Sequence, residues 1–134
     1  MISRVSHGGG ADLAPHPTDT EELWATLDYL GAIFLGPLVP LGMYLSMRDR
    51  SAFLRYHTVQ ALNITLTCLL YAVSGAIIGA LLAFANANDA PLIMGPVAAA
   101  GWLIMLAHLV LNAAAASRGD FRPAPPWICA PLVR

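Results

Sequence analysis

Five polar side chains stand where the surrounding sequence is apolar: Gln60, Asn63, Thr67, His108 and Asn112. Amides, a hydroxyl and an imidazole can bridge helices by hydrogen bonds, or line a path for a small solute. At 100° per residue, Gln60, Asn63, Thr67, Tyr71 and Ser74 fall within about 80° of one another on a helix, with His57 at the edge of the stripe. Gly101, Met105, His108 and Asn112 share a face on a second segment. A cross-helix hydrogen-bonded cluster of Gln60, Asn63, Thr67, His108 and Asn112 is the expectation. Its plainer reading is helix–helix adhesion, at about 0.5–1 kcal/mol per bond. Its sharper reading is a polar path, with His108 able to change charge near neutral pH. If Asn63 and Asn112 pair, replacing both costs less than the sum of the single replacements. Asp28 is the one carboxylate expected within a span, as an interfacial residue or an ion site.

Nothing in the chain points to catalysis. It has no G-x-S-x-G, no H-E-x-x-H and no phosphate-binding glycine loop. Cys68 and Cys129 lack metal spacing, so neither a metal site nor a cofactor is expected. The net charge of −1 gives no field for nucleic acid. The chain is expected not to be an enzyme.

The elements that must position these residues follow from composition. Hydrophobic residues make up 57% of the 134 residues and charged ones 11%, against roughly 25% charged in soluble domains. A chain this short cannot bury so much apolar surface in its own core; a lipid bilayer must cover part of it. Three stretches without Asp, Glu, Lys or Arg (29–47, 56–88 and 90–117) each reach the roughly 17–20 residues that cross a hydrocarbon core. The fold expected is an all-α membrane protein of about three transmembrane helices, the first kinked or broken at Gly36-Pro37 and Pro40. Thr18-Asp19-Thr20-Glu21 has capping-box spacing and marks its start. The first stretch is expected to cross the membrane rather than turn back. Ser51 is expected to cap the second helix, and Gly75 and Gly79 to allow a close helix approach. Residues 1–17 read as a disordered leader rather than a signal peptide, 18–122 as the helical membrane domain, and 123–134 as a Pro-rich cytoplasmic tail.

Arg48, Arg50 and Arg55 lie between the first two stretches, and Arg118 and Arg122 follow the third; the loop between stretches two and three has only Asp89. The positive-inside rule puts both basic clusters in the cytoplasm. The location expected is a multi-pass cell membrane, the inner membrane of a bacterium.

Ser51, Phe53, His57, Gln60 and Asn63, within Ser51-Ala52-Phe53-Leu54-Arg55-Tyr56-His57-Thr58-Val59-Gln60-Ala61-Leu62-Asn63-Ile64-Thr65, resemble the signature of the bacterial membrane proteins grouped as domain of unknown function 4870. That group is similar to the Tic-twenty component of chloroplast protein import. The Pro-containing first span and the segment Ala116-Ser117-Arg118-Gly119-Asp120-Phe121-Arg122-Pro123 look like the same family. The resemblance implies a non-enzymatic membrane subunit or scaffold, with a second copy or a membrane complex as partner beside the bilayer. The rival reading is a small channel or transporter that uses the polar stripe.

Overall fold

A computed structural model describes residues 16–47, 49, 51–85 and 89–133. Among these the chain is all-α, with α1 Asp19–Leu35, α2 Leu38–Met47, α3 Ala52–Phe84 and α4 Ala90–Ala116. Most of the leader, together with Arg48 and Arg50, lies outside the described residues.

The capping box at the start of α1 forms as its spacing predicts. Glu21 N–H donates to Thr18 Oγ1 at 3.3 Å, and Thr18 N–H donates to Glu21 Oε2 at 2.8 Å. The Ser51 side chain sits against the same carboxylate and, with the Thr18 N–H, holds Glu21 below the usual carboxylate range. Ser51 therefore does not cap α3 with its side chain, although its extended backbone occupies the N-cap position. Its hydroxyl is drawn toward Glu21 instead.

That contact carries the main departure from the expected topology. Gly36 ends α1 at φ 61°, in the left-handed region that favours glycine. The chain turns there, and Leu41 N–H bonds to Pro37 O at 3.0 Å to open α2. Pro40 falls in the first turn of α2, where its missing N–H removes no helical bond, so it breaks nothing. Val39 then packs directly on Gly31. The α1–α2 pair is thus a helical hairpin that returns to its starting level, which is why Ser51 meets Glu21. The first apolar stretch is folded back on itself as two short helices. Two helices, Ala52–Phe84 and Pro91–Ala116, are long and apolar enough to cross a membrane, against the three expected.

At about 1.5 Å per residue, α3 far outreaches the hairpin. Its buried residues all lie between Phe53 and Thr67, while Leu69, Val73, Ile77 and Leu81 beyond are exposed. On α4 the order is reversed. Ile93, Val97 and Leu103 are exposed, and Leu109, Asn112, Ala113 and Ala116 are buried. The core therefore sits at one end of the α3–α4 pair, where Ala25, Tyr29 and Ala32 of α1 pack on both helices.

The hairpin makes a labelling prediction. Cysteines placed at Thr20 and Ser51 are expected to react with a membrane-impermeant maleimide from the same side, and a cysteine at Asp89 from the other. Reaction of Thr20→Cys and Ser51→Cys from opposite sides would mean that the first stretch crosses after all.

Candidate functional site

The polar stripe of α3 exists, but its partners differ from those expected. Gln60 Nε2 donates to Arg122 O at 2.7 Å. Asn63 makes a two-way pair with Val133: Nδ2 donates to the carbonyl at 3.0 Å, and Oδ1 accepts from the N–H at 2.7 Å. Thr67 Oγ1 accepts from Ala130 N–H at 3.1 Å and donates to Asn63 O at 2.7 Å. Tyr71 OH donates to Trp127 O at 2.8 Å. Apart from the Tyr29 hydroxyl of α1, which reaches Gln60 Oε1, every partner is backbone of the C-terminal segment or of α3 itself. The segment climbs from Arg122 beside Gln60 to Trp127 beside Tyr71. It turns there, with Ile128 and Cys129 N–H bonding Pro125 O at 3.0 and 2.9 Å, and descends to Val133 beside Asn63. The Pro-rich stretch expected as a tail beyond the bundle is docked along α3.

The chemistry of this ladder is that of irregular backbone held beside apolar helices. Such backbone persists at membrane depth only where protein satisfies its N–H and C=O groups. Pro123, Pro125, Pro126 and Pro131 lack the N–H, and the α3 side chains serve several of the groups that remain. Residues 123–133 also carry no charge, a signal in the sequence that this segment is not an ordinary solvated tail.

His108 and Asn112 do not join the ladder. His108 Nδ1 lies 2.9 Å from Ile104 O on its own helix, and its ring meets the Trp127 edge at 5.9 Å. Asn112 is buried, with no hydrogen-bond partner at Oδ1 among the described residues. The wheel identifies the polar face of each helix. It does not reveal that a third segment lies along the face of α3.

A second network joins α3 to α1. Tyr29 OH stands 3.1 Å from His57 Nδ1 and 3.4 Å from Gln60 Oε1. Phe53, Tyr56 and Phe121 surround the imidazole at 4.5, 5.2 and 6.0 Å between ring centres. Its far side faces the Asp120 backbone. Phe53, His57, Gln60 and Asn63 thus converge on the seat of the C-terminal segment, and Ser51 goes to Glu21. Of the basic residues, Arg55 and Arg122 are exposed, and Arg118 pairs with Asp120 at 3.7 Å on the surface, where such a pair stabilises little. Tyr29 was missed by sequence reasoning, because a tyrosine in an apolar stretch looks like any membrane aromatic.

The third feature is a set of buried polar side chains, one on each of three packed helices: Asp28 of α1, Thr58 of α3 and Asn112 of α4, with the Thr58 hydroxyl directed at Asp28. Among the described residues no cluster of three or more His, Cys, Asp or Glu side chains is placed to hold a metal.

Two long apolar helices, a hairpin packed at one end and a backbone segment docked on an intramembrane polar stripe define a small helical protein of membrane type. The chain belongs to the MamF/MmsF family, the magnetosome magnetite crystal formation protein family, whose model matches residues 20–130. The match runs from the first turn of α1 to the rung at Ala130. It overturns the resemblance to the domain-of-unknown-function group and to Tic-twenty: the motif around His57 and Gln60 is carried by a magnetosome family, and import machinery has no further support. No curated protein and no solved structure matches the chain significantly.

Proposed function

We propose that this chain serves magnetite crystal formation as a non-enzymatic, multi-pass subunit of the membrane in which the crystal grows. The family description supplies the process. The observation that carries the mechanism is the occupied ladder. Gln60, Asn63, Thr67 and Tyr71 are spent on the chain's own C-terminal segment, so the stripe of one copy offers no open polar path. This favours a structural subunit over a small channel or transporter. In this reading the exposed apolar halves of α3 and α4 hold the protein in lipid. The packed end, with Arg55, Arg118 and Arg122, faces the cytoplasm, and the bilayer and other membrane proteins or copies are its partners.

The test is a strain lacking the chain, complemented with wild type or with Asn63→Leu. Electron microscopy would measure crystal number and size, and proteoliposomes of the purified protein would be assayed for ion flux. The expected result is altered crystals without the chain, restored by wild type, and no flux. Normal crystals in the deletion strain would remove the role in crystal formation. Flux abolished by Asn63→Leu in a folded protein would make the transporter reading the better one.

A further inference from the structure

The α1–α3–α4 junction holds an excess of electron-pair donors and no positive charge. Asp28 is 0% exposed, Thr58 1% and Asn112 2%. Both carboxylate oxygens of Asp28, Thr58 Oγ1 and Asn112 Oδ1 lack a hydrogen-bond partner among the described residues. Buried polar atoms in native proteins are nearly always paired, and four orphans at one junction call for an explanation.

The helix register brings them to one level. Tyr29 meets His57 across α1 and α3, and at the same level the Thr58 hydroxyl is directed at the Asp28 carboxyl without closing a bond of ordinary length. α4 runs antiparallel to α1, because Gly119 at its end lies against Glu22 and Pro17. Two helical turns before Gly119 stands Asn112, and about two turns after Glu22 stands Asp28. The wall around them is Ala25, Ala32, Ala61, Leu109 and Ala113.

The titratable groups nearby are accounted for elsewhere. On α1 Tyr29, and on α3 His57 through Nδ1, bond to each other, while His57 Nε2 is buried without a bonded partner, on the side of the ring that faces the Asp120 backbone. On α4 His108 is turned to Ile104 O. After α4, Asp120 is paired with Arg118 at the surface, and Glu22 lies a level below at Gly119. Arg55, Arg118 and Arg122 are exposed. A charged carboxylate with no partner in such surroundings is strongly disfavoured, as any unpaired buried ion is.

We propose that this junction is a binding site for one monovalent cation, an alkali ion or a proton, held by Asp28 with Thr58 and Asn112. The charge count selects a single positive charge. One carboxylate is neutralised by it, whereas a divalent ion would leave a net positive charge buried among alanines. Oxygen-only donors match a hard ion rather than a thiophilic or imidazole-seeking one. As an alkali ion, the ligand takes contacts from all three side chains. As a proton, it makes Asp28 a neutral acid whose O–H donates to Asn112 Oδ1, with Thr58 O–H donating to the remaining carboxyl oxygen. The inference is independent of the role in crystal formation and goes beyond it.

Dicyclohexylcarbodiimide distinguishes the two ions, because it adds to protonated carboxyls in apolar surroundings. The full chain in mild detergent would be treated between about pH 5 and about pH 9, in sodium chloride or in choline chloride. The adduct would be mapped by mass spectrometry and thermal unfolding followed in parallel. Labelling of Asp28 that sodium does not alter identifies the proton. Labelling suppressed by sodium, or an unfolding midpoint raised by sodium over choline, identifies the alkali ion. Asp28→Asn keeps the shape and should lose both responses while staying folded. Asn112→Leu should raise the sodium concentration needed for protection at least tenfold, or shift the pH profile of labelling. An unlabelled Asp28 across the whole range, with wild type and Asp28→Asn unfolding alike in every salt and at every pH, would overturn the proposal, and the wild-type measurements decide it even if a variant fails to fold.

Discussion

Asn63→Leu is expected to destabilise the protein by about 2–4 kcal/mol in mild detergent, the largest loss among single changes on the polar stripe. Two hydrogen bonds to Val133 go, and each leaves a backbone group stranded at about 1–2 kcal/mol, the lower part of the range for such groups because Val133 is only half-buried. Leucine also presents an apolar face where the returning strand needs a donor and an acceptor. The change should free the end of the C-terminal segment first, so carboxypeptidase trimming of that end should accelerate along with the loss of stability. Equilibrium unfolding measured by circular dichroism gives the magnitude. Adding Asn112→Leu provides the control. The two asparagines do not touch, so their losses should add. This reverses the expectation drawn from the helix wheels, in which the pair compensates. Combining Asn63→Leu with truncation after Ala130 should instead cost less than the sum, because the truncation removes the groups that Asn63 serves. A sub-additive Asn63–Asn112 pair would place them in contact and return the stripe to the α3–α4 interface.

What the sequence made legible was local and periodic. The capping box at Thr18 and Glu21 needs four residues, and it forms as spaced. Two long apolar helices follow from hydropathy alone, and so does the polar face of α3, because helical period fixes which side chains share a side. What stayed hidden was pairing between distant segments. Gly36-Pro37 announces a break, but a kink that continues across the membrane and a turn that reverses use the same two residues. The difference lies in Gly31 and Val39, whose contact the pattern does not reveal. The helix wheels point Gln60, Asn63 and Thr67 toward α4, which carries His108 and Asn112 at a matching depth. Backbone N–H and C=O groups are present in every residue and leave no mark in a sequence. Four prolines and an uncharged stretch from 123 to 133 were the available sign that this backbone is not solvated. Asp28 was recognised as exceptional, but its neighbours Thr58 and Asn112 come from two helices whose register only the fold sets.

Gly31→Ala is expected to destabilise the protein by about 1–3 kcal/mol, the range for overpacking a close contact, although alanine is the better helix former by about 1 kcal/mol. A Cβ built on Gly31 would lie 2.5 Å from Val39 Cγ1, 2.9 Å from its Cβ and 3.0 Å from its Cγ2. Val39 cannot swing one atom aside, because both branches and the branch point crowd the same place and a β-branched side chain on a helix has one strongly preferred rotamer. The helices must separate, and the only connection between them is the Gly36-Pro37 turn. The damage should therefore fall on the hairpin, and the Thr20→Cys label should lose its fixed side while labelling at Asp89→Cys is unchanged. Gly31→Ala combined with Val39→Gly should recover part of the loss, since it removes the Cβ and both methyls that meet the new Cβ, at the helix-propensity cost of a glycine. Gly75→Ala and Gly79→Ala are the contrast. Among the described residues nothing lies within 4 Å of a Cβ at either position, so none of them makes the close helix approach that the spacing suggested. Both changes should be neutral or stabilising by up to about 1 kcal/mol through helix propensity. If Gly31→Ala proves as harmless as Gly75→Ala, Val39 does not rest on Gly31, and the reversal of the first stretch loses its physical basis.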